Sequence, residues 1–588
     1  MQNDNIVAFN HFLLPINPRI MRTITKSLKM LYLLAMMHAG IFQAAAADFM
    51  VDSICYSIIG DNQVEVTSRD SVKYAGEVII PASVVNDGIT YQVTRIGNKA
   101  FQGCKELALI DIPEGITSIG TFAFNGCTRL ENVDLPNSLV TLERFAFYGC
   151  YSFTSFHIPR NLTEIAYNAL MSCKNIAYYT CSSFNTKYKA VDGILYSKDL
   201  TMLVAYPFAA TATSFDIPTT VTALHDYCLS GNNNLVAVNI PETVTWMGMN
   251  IFRDCQNIVE IDVPDGVTHM GVTVFGGCTS LIRVHLPANL DTIKNSTFSG
   301  CTMLTEVTVP RNVSCIDEQG FINATSLKTV TFEEGSRLTS LGERAFLDCY
   351  SLESLDLPNT VTSIGSGCFS NCSSLKTIHM SPNLTEIGSS IFTSCNSLTE
   401  CEVIGDVPTM HNIFIRCSKL KKVKLGDRNG TPGSTLLQNA TITSCDQLEY
   451  LELGANIDSL ENSALCSLDS LKVLICWATT PPRCHDYWSS FWPWPANSKA
   501  ILYVPKASLE AYRTANDWKN YKTILPIEDV GDVNGDGKLS IGDVTELINL
   551  LLSDNSTHVA APFADINFDG KISISDVTTL IHHLLTDN

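Results

Sequence analysis

The chain has 588 residues, of which 45% are hydrophobic and 17% are charged, and its formal net charge is −20 at pH 7. The apolar fraction allows a large buried core, whereas the negative charge argues against nucleic-acid binding, which requires a basic surface. This balance fits a soluble protein that works outside the cell or binds cations. Length alone suggests about four domains. Internal repeats argue against that number, because a solenoid adds residues by extending one continuous core and does not form a new core for each domain.

The first 47 residues predict export. Arg22, Lys26 and Lys29 precede an apolar run from Met30 to Phe42, and small residues then offer a cleavage site after Ala47. A charged segment, a short apolar segment and small residues in this order are typical of a secretory signal peptide. A buried apolar helix is the alternative. The run is too short for a membrane span, so we expect an exported chain, on the cell surface or extracellular, with no span after signal removal.

Most of the chain repeats a unit of 23 residues. "DIPEGITSIGTFAFNGCTRLENV" is followed by "DLPNSLVTLERFAFYGCYSFTSF", and similar units recur between Gly76 and Ile475. We count about 14 copies, and a period of 23 lies in the range that is typical of leucine-rich repeats. An irregular insert from Tyr188 to Phe208 interrupts them. One column of prolines marks the period: Pro113, Pro136, Pro159, Pro218, Pro241, Pro264, Pro287 and Pro310.

Each unit contains two short segments of alternating apolar residues, such as "LTEVTVP" and "VTSIG", and then an "AFxxC" turn. Alternation predicts strands, and the proline ends the first strand because it removes a hydrogen-bond donor from the ladder. A single unit cannot bury its apolar face, whereas stacked copies can. The sequence therefore predicts a mainly β, elongated leucine-rich repeat solenoid.

The skeleton "IP…VTSIG…AF…GC…L", clearest from Ile112 to Leu130 and from Leu357 to Leu375, resembles the BspA-like leucine-rich repeat surface proteins of bacteria. The resemblance is specific because the skeleton recurs in unit after unit. It implies an exported, non-catalytic binding or adhesion scaffold. Its solenoid would recognise a host or microbial surface protein or glycan.

The 21 cysteines would ordinarily suggest disulfides in an exported chain. Most of them instead recur at the repeat period, and stacked identical positions point their Cβ atoms the same way, whereas a disulfide needs converging Cβ atoms. We predict a column of buried thiols and no zinc site. Cys476 and Cys484 lie off the column and are better disulfide candidates. The column comprises Cys104, Cys127, Cys150, Cys173, Cys255, Cys278, Cys301, Cys349, Cys372 and Cys395.

One outward position of the first strand is polar and mostly acidic from repeat to repeat. Such a column on the sheet face is where solenoids bind partners, although a solvated face with mild Asp–His pairing between repeats is the alternative interpretation. This column of outward residues continues to Lys424 and Glu452. The candidate ligand strip consists of Asp111, Asp134, His157, Asp262, His285, Asp356 and His379.

A Trp-rich segment from Trp477 to Pro495 holds four of the six tryptophans. Its rings could form a carbohydrate platform, but we favour a cap on the open end of the solenoid, which has to be covered. The following residues predict a last strand and a short amphipathic helix that contains Leu509, Tyr512 and Trp518.

No catalytic residue is predicted. Cys484, His485 and Asp486 are nucleophile, base and orienting acid by type, but they are consecutive, whereas a working triad is assembled from separated residues. No esterase, zinc-protease, P-loop or dinucleotide-binding motif occurs in the required context.

Two segments near the C-terminus, "DVNGDGKLSIGDV" from Asp532 and "DINFDGKISISDV" from Asp565, place oxygen ligands at the spacing of a calcium loop. Gly537 and Gly570 allow the sharp turn at position 6, and the lysines contribute backbone carbonyls. We predict two Ca²⁺ ions. The ligands are Asp532, Asn534, Asp536, Lys538, Ser540 and Asp543, and then Asp565, Asn567, Asp569, Lys571, Ser573 and Asp576.

A helix follows each loop, from Val544 and from Val577, but no helix leads into either loop. A loop with an exiting helix, duplicated in this way, resembles a type I dockerin. The resemblance covers residues 530–588 and implies a small all-α, calcium-binding module that docks to a cohesin domain or another protein partner.

The recognition positions depart from that family. Cellulosomal dockerins carry Ser/Thr-type residues at loop positions 10 and 11, where this chain has Ile541–Gly542 and Ile574–Ser575. These four residues are candidate docking contacts. The alternatives are a structural surface protein whose calcium module packs intramolecularly, or a non-catalytic subunit of a polysaccharide-degrading assembly.

The predicted domains are the N-terminal extension and signal peptide (1–47), N-terminal cap strands (48–75), the solenoid (76–475), a C-terminal cap (476–527) and the dockerin-like domain (528–588).

Overall fold

A computed structural model describes residues 47–69, 72–430, 432, 434–461, 464–466, 468–485, 499–536, 538–553, 563–567 and 572–586. The predicted signal peptide lies almost entirely outside these residues, as do residues 486–495 of the Trp-rich segment. Among the described residues, no helix combines the length and hydropathy that a transmembrane span requires.

The chain divides into two compact units, residues 1–188 and 189–588. In the first unit, β3, β6, β8, β9 and β11 form a parallel ladder that begins on the antiparallel strands β1 and β2, while β4 pairs with β7 and β10 with β12. The strands of this unit are β1 (Phe49–Val51), β2 (Ile54–Gly60), β3 (Gln63–Thr67), β4 (Gly76–Ile79), β5 (Ser83–Asn86), β6 (Ile89–Ile96), β7 (Leu107–Asp111), β8 (Ser118–Ile119), β9 (Thr141–Leu142), β10 (Ser155–Ile158), β11 (Glu164–Ile165) and β12 (Tyr178–Cys181).

The second unit has the same rung pattern, with two or three short strands in each rung. Its strands, starting with one that spans the division, are β13 (Tyr188–Val191), β14 (Ile194–Ser197), β15 (Met202–Ala205), β16 (Ser214–Asp216), β17 (Ala223–Leu224), β18 (Ala237–Asn239), β19 (Trp246–Met247), β20 (Glu260–Asp262), β21 (His269–Met270), β22 (Arg283–His285), β23 (Thr292–Ile293), β24 (Glu306–Val309), β25 (Cys315–Ile316), β26 (Thr329–Phe332), β27 (Ser340–Leu341), β28 (Ser354–Asp356), β29 (Ser363–Ile364), β30 (Thr377–His379), β31 (Glu386–Ile387), β32 (Phe392–Thr393), β33 (Glu400–Val403), β34 (Thr409–His411), β35 (Phe414–Ile415), β36 (Lys422–Leu425), β37 (Thr435–Gln438), β38 (Ile442–Thr443), β39 (Tyr450–Leu453), β40 (Ile457–Glu461), β41 (Val473–Cys476), β42 (Arg483–His485), β43 (Ile501–Val504) and β44 (Thr523–Pro526).

Three α-helices occur in the described residues, all near the C-terminus: α1 (Leu509–Thr514), α2 (Ile541–Leu552) and α3 (Ile574–Thr586). Short 3₁₀ turns span Lys506–Ser508 and Ile527–Asp529. The fold class is thus mainly β, a solenoid of stacked rungs followed by a small helical module, as predicted from the sequence.

The rungs pair in parallel and in register at the repeat period. Glu306–Val309 of β24 pairs with Thr329–Phe332 of β26, so identical repeat positions lie on top of one another. The apolar positions of the "VTSIG" and "LxxVxIP" segments point inward, and Pro310 follows its strand, where no ladder donor is lost.

Aromatic rings run through the core as a ladder. In the second unit, the rings of Phe252, Phe275, Phe298 and Phe321 stack with centroids 5.0 to 5.7 Å apart and nearly parallel planes. All four side chains are fully buried. Because each ring contacts the rings above and below, the rungs stabilise one another through their side chains as well as through the backbone ladder.

The cysteine column is a column of buried thiols, and all 21 cysteines are unpaired. The thiols have a second role that the sequence did not reveal: nine of the ten column thiols donate to the carbonyl of a buried residue in the preceding rung, as Cys278 Sγ does to Phe252 O at 3.0 Å. Burial raises the pKa of Cys301 to about 12, so the thiol remains protonated. Cys476 and Cys484 do not form the disulfide considered above. The hydroxyl of Tyr512 lies 3.2 Å from Cys476 Sγ.

The end of the solenoid is covered by two further rungs and a short helix. Strands β43 and β44 extend the ladder beyond β41. Tyr512 in α1 is fully buried and donates to Ala478 O at 2.8 Å, and Trp518 Nε1 donates to Pro482 O at 2.8 Å. The predicted helix is shorter than expected, because Trp518 lies in the turn after α1.

Candidate calcium loops and binding surfaces

The first candidate calcium loop holds side-chain oxygen atoms close to its backbone. The amide of Asp536 donates to Asp532 Oδ1 at 3.0 Å and to Asn534 Oδ1 at 2.9 Å, so two side-chain oxygens converge on one point. Asp543 is fully buried and accepts from the Asn534 amide through Oδ1 and from the Ser540 amide through Oδ2. The residues at predicted positions 1, 3, 5, 9 and 12 therefore share one small region.

Ser540 and Asp543 also explain where the helix begins. Ser540 Oγ accepts from the Gly542 amide at 3.1 Å, and the Asp543 carboxylate accepts from the Ser540 amide, which together form a capping box. The helix consequently begins at Ile541, three residues earlier than the apolar pattern predicted. Loop positions 10 and 11 are thus the first residues of α2.

The second loop repeats this arrangement. The fully buried Asp576 accepts from the amides of Ile566 and Asn567 through Oδ1, at 2.9 and 3.1 Å, and from the Ser573 amide through Oδ2 at 2.8 Å. Here too the helix, α3, begins three residues before the predicted Val577. The predicted ligands Asp569 and Lys571, and the glycines Gly537 and Gly570, lie outside the described residues.

The residues of the loops fit a hard cation. Carboxylate, amide, hydroxyl and backbone oxygens are the donors that Ca²⁺ takes, and two fully buried carboxylates at the loop ends gain from a positive charge beside them. Within the described residues, no three His, Cys, Asp or Glu side chains converge as metal ligands. The twelve ligands and the two ions therefore stay a prediction.

The two helices present matching apolar residues to solvent. On α2, Ile541 is 81% exposed and Leu552 is 79% exposed, while Val544 and Leu547 face the small core of the module. Residues 33 positions later show the same exposure on α3: Ile574 is 77% and Leu585 is 75% exposed. Ile548 and Ile581 are a third, partly exposed pair at this spacing. The module thus carries two equivalent apolar faces that nothing in the described chain covers.

A different part of the same module lies over the last rungs of the solenoid. The outward position that carries Glu452 in β39 continues, in register, as Ile475, Tyr503 and Leu525. Ile475 and Tyr503 are buried although they point away from the solenoid core, because Ile527 and Val530 of the connecting segment pack against them.

Contacts continue from this segment into the second loop. The Gly531 amide donates to Phe563 O at 2.8 Å. Burial, and then the nearby charge of Asp565, raise the pKa of the Tyr503 phenol well above its usual value. Gly531 has φ +96, and a Cβ here would approach Leu539 Cδ2 at 2.8 Å, so only glycine fits this junction.

The predicted ligand strip is exposed in each unit. In the first unit, Asp111 pairs with Asp134 in a parallel bridge, and His157 Nδ1 lies 2.9 Å from Thr180 Oγ1 on the next rung. In the second unit, Asp262 and His285 are register neighbours, as are Asp356 and His379.

Only the last of these Asp–His neighbours pairs through its side chains in the described structure. His379 Nδ1 bonds Asp356 Oδ1, and this hydrogen bond, with the charge of Asp356, raises the pKa of the imidazole. His285 instead lies 3.7 Å from Asp265 Oδ1. The strip is therefore a polar column whose side chains remain available to solvent.

Of the three consecutive residues Cys484, His485 and Asp486, only Cys484 has a described side chain. Burial raises the pKa of its thiol far above its usual value, which disfavours the thiolate that a nucleophile needs. The side chains of His485 and Asp486 lie outside the described residues.

Comparison with known proteins agrees with both halves of this description. A profile of the BspA type leucine rich repeat region matches residues 84–191, 203–328 and 292–421, together more than half of the chain. The chain belongs to the BspA-type leucine-rich repeat family. A profile of the dockerin type I domain matches residues 530–585. Both resemblances are confirmed, and neither matched family is catalytic.

Among solved structures, this BspA-type protein is similar to a leucine-rich repeat protein from Eubacterium ventriosum, with 24% identity, coverage of 58% of this chain and 93% of the other, and a TM-score of 0.42. A leucine-rich repeat protein from Bacteroides ovatus shows 23% identity, with 82% and 99% covered and a TM-score of 0.38. A leucine rich cell surface protein from Faecalibacterium prausnitzii shows 21% identity, with 57% and 95% covered and a TM-score of 0.33. No curated protein matches the sequence.

Proposed function

We propose that this protein is an exported binding or adhesion scaffold, in which the solenoid recognises a protein or glycan and the C-terminal module docks a protein partner when calcium is bound. The observation that carries the docking part is the pair of equivalent apolar faces, centred on Ile541 and Ile574. Apolar side chains that are three-quarters exposed at matching positions of two helices are what a partner-binding surface needs.

Calcium has a structural part in this proposal. The described part of the module has six buried core residues, which is a small core for independent stability. Oxygen ligands held around an ion would fix the loops and, through Asp543 and Asp576, the first turn of each helix. The ion thereby sets the positions of Ile541 and Ile574, which begin those turns. Docking should consequently depend on calcium.

A panel of purified cohesin modules tests the docking proposal with the full chain in millimolar calcium. Because the faces are equivalent, either single variant, Ile541→Asp or Ile574→Asp, should keep binding through the other face, whereas the double variant should lose it. EGTA should abolish binding. Met303→Asp, at a half-exposed solenoid position, is the matched control. Binding that persists in the double variant, or that ignores EGTA, would contradict the proposal.

A second candidate function is supported by the burial of Ile475 and Tyr503. In this alternative, the module packs intramolecularly and closes the end of a structural cell-surface protein. The two functions are compatible, because the residues that face the solenoid differ from Ile541 and Ile574. If no cohesin binds, separate pull-downs with the wild-type chain and the double variant would show whether any partner uses these faces.

A further inference from the structure

A cleft of about 250 Å³ lies between the last rungs of the solenoid and the calcium module. Its volume is below the range of about 300–1,000 Å³ that is typical of sites for drug-sized ligands, so an occupant has to be small. The solenoid wall consists of Lys422, Lys424, Arg428, Tyr450, Ile475 and Trp477.

The opposite wall is aliphatic except for Asn567 and His583. Ile527 and Val530 come from the connecting segment, and Leu539, Ile566 and Leu580 come from the calcium module. The cleft therefore has an apolar side, which suits the body of an organic molecule, and a side with three basic residues. That second side is unusual in a chain with a net charge of −20.

A buried carboxylate organises the basic side. Glu452 is 2% exposed and accepts from Tyr450 Oη at 2.8 Å and from Trp477 Nε1 at 2.8 Å. Arg428 binds it with two guanidinium nitrogens, and its guanidinium carbon lies 4.9 Å from the centre of the Trp477 ring. Because each group is held by another, the two rings and the Arg428 guanidinium have fixed positions before any ligand arrives.

Two of the three basic side chains have their charge balanced. Arg428 pairs with Glu452, and Lys424 Nζ lies 2.6 Å from Glu402 Oε1. Lys422 differs: its ammonium lies 4.7 Å from the centre of the Tyr450 ring, and no carboxylate in the described part of the chain forms an ion pair with it. Glu400 is its register neighbour on the preceding rung but does not pair with it.

We propose that this cleft binds a small organic carboxylate, whose charged group is held by Lys422 and whose apolar body lies between Ile475 and the aliphatic residues of the calcium module. Lys422 is a half-buried residue, and an ammonium that is partly removed from water and lacks a carboxylate gains more from an anion than a solvated one does. The proposal goes beyond the docking function and does not depend on it, because it uses neither Ile541 nor Ile574.

Phenylacetate and phenylacetamide, which have the same shape but differ in charge, are suitable probes. Isothermal titration calorimetry on the full chain in calcium should show saturable binding of phenylacetate. The amide should bind at least about tenfold more weakly, since a hydrogen bond to a charged group is worth about 1.5–3 kcal/mol. Lys422→Gln should weaken phenylacetate to the level of the amide, and Lys422→Arg should restore part of the affinity.

Lys376→Gln is the matched control, because Lys376 is exposed, directly precedes β30 and pairs with Glu353 outside the cleft. It should bind phenylacetate as the wild-type protein does. Circular dichroism melting curves verify that each variant is folded. The proposal is overturned if phenylacetate does not saturate, if the amide binds equally well, or if folded Lys422→Gln keeps wild-type affinity. Cohesin docking is measured independently, so either proposal can fail alone.

Discussion

Two stretches of one outward column, both in the second unit, differ in what covers them. From Asp262 to His379 the position is polar and exposed, whereas Ile475 and Tyr503, in register further along, are apolar and buried. The inward core of the two stretches is the same kind of leucine-rich ladder. The fold therefore fixes the inward residues of every rung, while the outward residue depends on whether solvent or another part of the chain lies over it.

The largest expected effect concerns the core that the two stretches share. Phe298→Ala should destabilise the solenoid by about 3–5 kcal/mol, because the ring is fully buried between two stacked neighbours and its removal leaves a cavity. Urea unfolding followed by circular dichroism measures this effect. Met303→Ala, at a half-exposed position of the same repeat, should shift the midpoint little; equal shifts would show that the ring ladder is not a stabilising element.

An aspartate introduced into the outward column should have a different effect on stability in the covered and in the exposed stretch. Ile475→Asp should cost about 3 kcal/mol or more, because the carboxylate would be buried among apolar side chains. Thr308→Asp is the matched control, since Thr308 occupies the same outward position but is exposed. Thermal unfolding of both variants measures the difference. Similar stability of the two variants would mean that the calcium module and its connecting segment do not cover Ile475.

The carboxylate of Glu452 gives a smaller effect and a pH dependence. Glu452→Gln should destabilise the protein by about 1–3 kcal/mol, because the donors of Arg428, Tyr450 and Trp477 lose the charged acceptor that Glu452 buries beside them. Glu353→Gln, which removes one partner of an exposed ion pair, should have no measurable effect. Urea midpoints at neutral pH provide the comparison.

The same carboxylate predicts the direction of the pH effect. Burial alone would raise the pKa of Glu452, but the bonds from Arg428, Tyr450 and Trp477 outweigh it and hold the pKa below its usual value. This stabilisation is complete above the pKa of an unfolded glutamate and is lost as the pH falls through the folded pKa. The stability difference between wild type and Glu452→Gln should therefore shrink in acid. A stability difference between the two proteins that stays constant as the pH falls below the usual pKa of a glutamate would contradict the assignment.

Much of the solenoid could be predicted because its signals are repeated. A 23-residue period, prolines at strand ends and cysteines in one column each recur, so the strand register and the buried thiols follow from the sequence. The hydrogen bonds from Cys278 and its equivalents could not be predicted, because they depend on where the preceding rung places a carbonyl. The early start of α2 was missed because Ser540 was interpreted only as a ligand, although it also caps the helix.

The covered end of the outward column could also have been predicted from the sequence. Following the outward position one rung past Glu452 gives Ile475, and a change from polar to apolar at a constant position is a sign of a covering partner. The matching apolar faces were visible as well, since Ile541, Ile548 and Leu552 recur 33 residues later. The cleft beside Lys422 could not be predicted, because its two walls come from separate modules.

Calcium calorimetry on the full chain tests the central claim, that the C-terminal module is a calcium-dependent docking device. The wild-type protein should bind two ions per chain, each Asp532→Ala or Asp565→Ala variant should lose one site, and the double variant should bind none and fail to dock. Absence of binding at millimolar calcium, or two sites retained in the double variant, would contradict the account.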